Sequence, residues 1–248
     1  MSVYVTGDTH HDFSRFEEGS GAQWHTPPKE GDYLIICGDF GGVWDGSGDE
    51  QKALDKLNEK PFMTLWVDGN HENYDLLARY PISDWHGGKV QFIRPRVIHL
   101  LRGYVYDIDG RSFFTMGGAS SHDMQDGLLE PDDPDQMKEV SRLLKEGALF
   151  RINHISWWKE ELPSPEEYAR ADRNLAACGH KVDYIITHDA PASIQEGLSP
   201  RDPDELNNFL EKVKESTDFR YWLFGHHHTN GRIEDKYIAI YDQIVELL

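Results

Sequence analysis

Five short segments, spread over nearly the whole chain, each carry residues able to bind a metal ion. In order they are Asp8-Thr9-His10, Gly38-Asp39, Gly69-Asn70-His71-Glu72, Thr187-His188 and Gly225-His226-His227-His228. Four of the five directly follow an apolar run that reads as a strand. Donor groups gathered at the carboxyl ends of strands mark a site on an α/β scaffold. A fold that brings residues 8 and 228 to one place must close almost the entire chain around it. That favours a single domain over residues 1–248. The carboxylates, imidazoles and amide are too many for one zinc ion and suit two adjacent divalent ions sharing a carboxylate. The residues alone therefore predict a phosphate-ester hydrolase.

The intervening sequence supplies the elements. Val3-Tyr4-Val5, Tyr33 to Cys37 and Phe62 to Val67 read as strands, and the apolar spacing of Ala53, Leu54 and Leu57 predicts a helix over 49–60. Strand, helix and strand in alternation suggest a parallel sheet. Val97 to Leu101, Tyr104 to Ile108 and Arg111 to Met116 read as antiparallel strands beginning a second sheet, with Asp109-Gly110 as a hairpin turn. An irregular helical insert is expected at about 117–181, with helices over 136–146 and 165–178. Strands resume at 182–187 and 221–224, separated by a helix over 203–215, and 237–241 closes the second sheet. The expected class is α/β, a two-sheet β sandwich flanked by helices.

Charge narrows the partners. The chain has 25 Lys and Arg against 44 Asp and Glu, a formal net charge of −19. Such a surface repels polyanions, so long DNA or RNA is not the expected substrate. Small phosphorylated molecules stay open, because bound ions supply local positive charge. No apolar run approaches the about 18 residues of a membrane helix, and the opening Met1–Thr6 does not read as a signal peptide. The two cysteines, Cys37 and Cys178, lie in or beside apolar segments, which fits free thiols in a reducing cytoplasm. Oligomeric state is not legible.

The ordered set Asp-x-His, Gly-Asp, Gly-Asn-His-Glu, His and Gly-His-x-His resembles the calcineurin-like metallophosphoesterase superfamily, over Gly7 to His228. The resemblance implies a two-sheet sandwich and two metal ions. Asp8, His10, Asp39 and His228 would hold one ion, and Asp39 would bridge to a second held by Asn70, His188 and His226. A hydroxide shared by the ions would attack phosphorus, and His71 would protonate the leaving oxygen. Mixed N/O donors suit Mn, Fe or Zn, with Co and Ni also compatible. The spacing of Asp8 with His10 and of His226 with His228 is that of neighbours on one side of extended backbone.

One departure matters. In the Ser/Thr protein phosphatases of the superfamily, Gly-Asp continues as Gly-Asp-x-Val-Asp-Arg-Gly, whereas here Gly42 and Val43 replace the second Asp and the Arg. This argues against that activity and removes the group that would orient His71. Glu72 and Asp45 are the candidates, with Glu72 preferred. A nuclease-type phosphodiesterase and a metal-binding interaction scaffold are the competing functions. Trp157-Trp158 reads as core, or else as a lid over the site. His227 should point away from its neighbours. His11 and His122 are open between the pocket and an ordinary surface position, and Gly117 to Ser121 between a phosphate loop and a plain turn.

Overall fold

Side-chain alternation decides what each strand must pack against. The computed structural model describes residues 1–17, 19 and 24–247. In β1 (Val3–Thr6) and β2 (Tyr33–Ile36) every residue is buried. Val3, Val5, Tyr33 and Ile35 enter one apolar cluster; Tyr4, Leu34 and Ile36 enter another on the opposite face. Strands buried on both faces need cover on both. The first cluster is shared with Phe113, Tyr184, Ile186 and Leu223 of a second sheet. The other lies under α1 (Gly48–Asn58), which contributes Leu54 and Leu57. Ser47 starts that helix by accepting a hydrogen bond from Glu50 N.

The first sheet continues through β3 (Met63–Trp66), the short α2 (Tyr74–Leu77), β4 (Ile82–Trp85), β5 (Gly88–Arg94) and β6 (Val97–Leu100). The second begins with the hairpin of β7 (Tyr104–Ile108) and β8 (Arg111–Met116). Asp109 and Gly110 both take positive φ at its turn, as the sequence signal requires. The segment that follows holds β9 (Gly127–Leu129), α3 (Gln136–Glu146), β10 (Phe150–Ile152) and α4 (Pro165–Ala177). Then come β11 (Tyr184–Thr187), α5 (Ala192–Leu198), α6 (Glu205–Ser216), β12 (Tyr221–Phe224), β13 (Gly231–Ile233), β14 (Tyr237–Ala239) and β15 (Ile244–Leu247).

The sheet orders are β15-β1-β2-β3-β6-β5-β4 and β13-β14-β12-β11-β8-β7, with β9 and β10 paired apart from both. The centres, β1-β2-β3-β6 and β8-β11-β12-β14, are parallel and the flanking strands antiparallel. Leu175 of α4 and Leu206, Leu210 and Val213 of α6 cover the outer face of the second sheet against Phe114, Ile185 and Trp222. The result is the expected two-sheet sandwich flanked by helices.

Three expectations about strands need correction. Val97–Leu100 belongs to the first sheet, parallel to β3, not to the second. Every residue of this run is buried, which gives no sign of which sheet it enters. Tyr237–Ala239 does not close the second sheet, because β13 pairs outside it. The chain then returns through β15 to the edge of the first sheet beside β1. The insert also holds the small β9–β10 pair as well as helices.

Behind β3 the sheet carries a buried polar cluster. Asp68 accepts from Arg102 Nε at 2.6 Å and Tyr74 Oη at 3.0 Å, and lies 3.1 Å from His99 Nε2. Burial alone would raise the Asp68 carboxyl, but Arg102 and His99 outweigh it and hold it well below the usual range. The sign follows from linkage: this stabilisation is present above the unfolded carboxyl value of about 4 and is lost as pH falls toward the lower folded value. Asp68→Ala strands a buried guanidinium, so a loss of about 3–5 kcal/mol is expected in urea unfolding at neutral pH. A midpoint unchanged from the parent would show that the cluster does not stabilise the fold.

Candidate metal centre

All five donor segments leave the carboxyl ends of strands: Asp8 after β1, Asp39 after β2, Asn70 after β3, His188 after β11 and His226 after β12. The two sheets therefore bring their donors to a common rim. Asp8, His10, Asp39 and His228 form one group of converging ligand atoms, and Asp39, His188 and His226 form another. Asp39 belongs to both.

Glycines set how closely these segments approach. A Cβ on Gly69 would collide with Asp39 Oδ1, and one on Gly225 would collide with Asp8 Oδ1. The backbone is also unusual here. His10, His11, Asp39, His226 and His228 all have positive φ, which costs energy for a residue with a side chain and clusters at functional sites. This corrects the extended-backbone reading of Asp8-His10 and His226-His228. The side chains converge through left-handed turns at the strand ends, not through i, i+2 alternation in a strand.

In the first group, His10 Nε2 and His228 Nε2 face each other at 3.1 Å. His228 Nε2 lies 3.1 Å from Asp8 Oδ2, and His10 Nε2 lies 3.8 Å from Asp8 Oδ2 and from Asp39 Oδ2. Asp8 Oδ1 accepts from His226 N at 3.1 Å. Asp8 Oδ2 is sealed from solvent, and the His228 ring nitrogen beside it makes no well-aligned hydrogen bond to it. A buried carboxylate oxygen without a donor is costly unless a cation meets it.

In the second group, His188 Nδ1 lies 2.7 Å from the Cys37 carbonyl. A carbonyl only accepts, so Nδ1 carries the proton and Nε2 is the nitrogen turned to the site. Nε2 lies 3.2 Å from Asp39 Oδ1 and 3.3 Å from Asn70 Oδ1. Burial opposes charge on His188, but Asp39 beside it prevails and raises it to about 10. Burial likewise opposes the Asp39 carboxylate, and His188 outweighs it, holding Asp39 far below its ordinary value. The same field favours a cation between them. His226 is pushed down to about 4 by burial, against Asp189. The orphaned Asp8 oxygen and the borderline N/O donor set both fit divalent transition ions.

His71 stands beside the first group, its ring 5.0 Å from that of His10. Its backbone N–H donates to Asp39 Oδ1 at 2.8 Å. Burial lowers its pKa, with Asp39 opposing. Glu72 does not orient it. Both Glu72 oxygens instead accept from the backbone beyond Asp39, from Phe40 N at 2.7 Å and Gly41 N at 3.3 Å. The side chain of Glu72 is directed under the Asp39 loop, which it holds in place. Asp45 accepts from Ser47 N, and among the described residues neither carboxylate bonds the His71 ring.

A cavity of about 520 Å³ opens beside His10 and His71, lined also by His11, Gly41, Trp44, Asp45 and Ser47. Its wall is fixed by Glu50, which accepts from the backbone N–H groups of Trp44, Asp45 and Gly46. Trp158 is 1% exposed and packs edge-on against Trp44, so it is core behind the cavity wall. Trp157 is half-buried and donates to Glu161. His227 points away, as expected, onto Asp189 Oδ1 at 3.0 Å. Gly118 is explained by packing, since a Cβ there would meet the Glu161 carbonyl.

His122, left open by the sequence between the pocket and an ordinary surface position, lies at the centre. His122 Nε2 lies 3.0 Å from His226 Nε2. The residue follows β8, a parallel neighbour of β11, so its loop opens at the same rim as His188. That position was the available signal.

Two sandwiched sheets that deliver Asp, His and Asn donors to one rim define a metallophosphoesterase. The chain belongs to the calcineurin-like phosphoesterase family, whose model matches residues 1–230. Its structure is similar to that of phosphopantetheinyl hydrolase from Mycobacterium tuberculosis, with 15% sequence identity and a TM-score of 0.39 over 100% of this chain and 95% of that one. That likeness is too distant to bear on substrate. No curated protein matched the chain.

Proposed function

We propose that the protein hydrolyses small phosphate mono- or diesters with two divalent metal ions. The observation that carries this reading is the pair of donor groups sharing Asp39. Asp8, His10, Asp39 and His228 would hold one ion, and Asp39, Asn70, His188 and His226 the other. Bound ions would polarise the phosphoryl oxygens and lower the pKa of water. The chain's own residues do the rest. Asp39 sets the spacing of the two donor groups. His188 is held by the Cys37 carbonyl in the tautomer that presents Nε2. His71, beside the cavity, donates a proton to the leaving oxygen.

The cavity supports a small substrate. Its size falls within the range of small-molecule sites, and no Lys or Arg is among the described residues that line it. A leaving group with further phosphates would meet Asp45 and Asp49 there. The whole sequence is read as one domain of this kind, since both sheets contribute donors. No described helix is long and apolar enough to cross a membrane. The free thiols Cys37 and Cys178 support a reducing, cytoplasmic setting.

The test is a panel of aryl and alkyl monoesters and diesters, each assayed with Mn²⁺, Fe²⁺ and Zn²⁺. Metal-dependent turnover of small esters is expected; no turnover with any metal would overturn the reading in favour of a binding scaffold. A second expectation separates the nuclease alternative. With a net charge of −19, binding to random duplex DNA should be weak at physiological salt. Tight binding by fluorescence anisotropy that falls steeply with added salt would reveal a basic surface and revive that alternative.

A further inference from the structure

We infer that Ser121 and His122, presented by the segment that follows β8, are positioning residues for the second metal ion. The inference rests on the two-ion reading above. The loop reaches two of the proposed ligands of that ion, and none of the other.

The first contact fixes an amide. Asn70 Nδ2 donates to Ser121 Oγ at 3.4 Å, and Ser121 Oγ donates to Glu161 Oε2 at 2.7 Å. A hydroxyl has one proton. With that proton on Glu161, Ser121 can only accept from Asn70. Only the NH₂ of Asn70 satisfies it, which leaves the carbonyl oxygen, the metal-binding atom, turned to His188. Without this partner the two ends of the amide are nearly equivalent in shape, and half of the orientations would present N–H groups to a cation.

The second contact fixes a ring. His122 Nε2 and His226 Nε2 are 3.0 Å apart. With its Nε2 engaged by His122, the His226 ring is held in one orientation at the centre. Groups bonded to the far side of a ligand hold its orientation and tautomer, and their loss typically costs 10–100-fold in metal affinity.

The loop is itself anchored by the insert. Glu161 is 3% exposed and accepts from Ser121 N at 2.8 Å as well as from its hydroxyl. Trp157 Nε1 donates to the same carboxylate at 2.9 Å. Ser121 and Trp157 thus meet on the Glu161 carboxylate beside the centre.

The experiment is calorimetric titration of the metal-free protein with Mn²⁺, alongside electron paramagnetic resonance of the exchange-coupled Mn²⁺ pair. Ser121→Ala and His122→Ala should weaken the second ion by about 10–100-fold and leave the first unchanged. At two equivalents of Mn²⁺ the coupled signal should give way to that of a single ion. Ser121→Thr and His122→Gln, which keep hydrogen-bonding groups, should retain most of the affinity. Parent-like titrations of both alanine variants would overturn the inference. So would equal weakening of both ions, or conservative variants as weak as the alanine ones. A parent protein that takes up fewer than two ions would overturn the two-ion reading itself, and this inference with it.

Discussion

Asp39→Ala should abolish phosphoesterase activity and strip the protein of most of its metal. Asp39 is the one residue common to both donor groups. Its carboxylate is buried, faces His188 Nε2 at 3.2 Å and His10 Nε2 at 3.8 Å, and accepts the His71 N–H. On the two-ion reading, removing it would take a ligand from both ions at once and uncouple the two sheets' donors. The loss should exceed the roughly 100-fold typical of removing a partner hydrogen-bonded to a ligand. Asp39→Asn separates charge from shape, since it keeps the side-chain volume and an acceptor for His71 N–H. It should also lose both ions, because a neutral amide bridges two cations poorly. Elemental analysis finding two metals per chain in either variant would remove Asp39 from the shared position.

His71→Ala should act on chemistry without removing metal. The His71 ring lies beside the cavity and is not part of either donor group. If it protonates the leaving oxygen, its worth depends on how much that oxygen needs a proton. An activated aryl oxide leaves with little help, whereas an alkoxide does not. General-acid assistance is typically worth about 10²–10⁴-fold, so the variant should lose rate by that amount on an alkyl phosphate and far less on an activated aryl phosphate. Equal losses on both would assign His71 to holding the phosphoryl group. Loss of an ion would make it a ligand.

These two residues show how differently the sequence speaks about position and partner. Every proposed ligand was visible as a residue type at a strand end, and the rim that joins them followed from parallel strands at the centre of each sheet. Helix α3 lies where the sequence reading placed it, at Gln136–Glu146. Asp109-Gly110 turns where its backbone permissiveness required. Such features are local: a turn, a cap or a period is written in adjacent residues.

What the sequence left open depends on which segments meet. Val97–Leu100 is buried throughout, and only its pairing with β3 assigns it to the first sheet. Glu72 stands next to His71 in the chain, yet its side chain runs under Phe40 and Gly41, where two buried N–H groups need an acceptor. His122 carried no motif, and it reaches His226 because β8 and β12 both run parallel to β11, one on each side. The sequence by itself therefore determined the donor set, the sheet class and the acidic character of this protein. Tertiary structure alone decided the partners of those donors, because a hydrogen bond between residues 104 positions apart is set by the path of the chain and leaves no periodic trace in it.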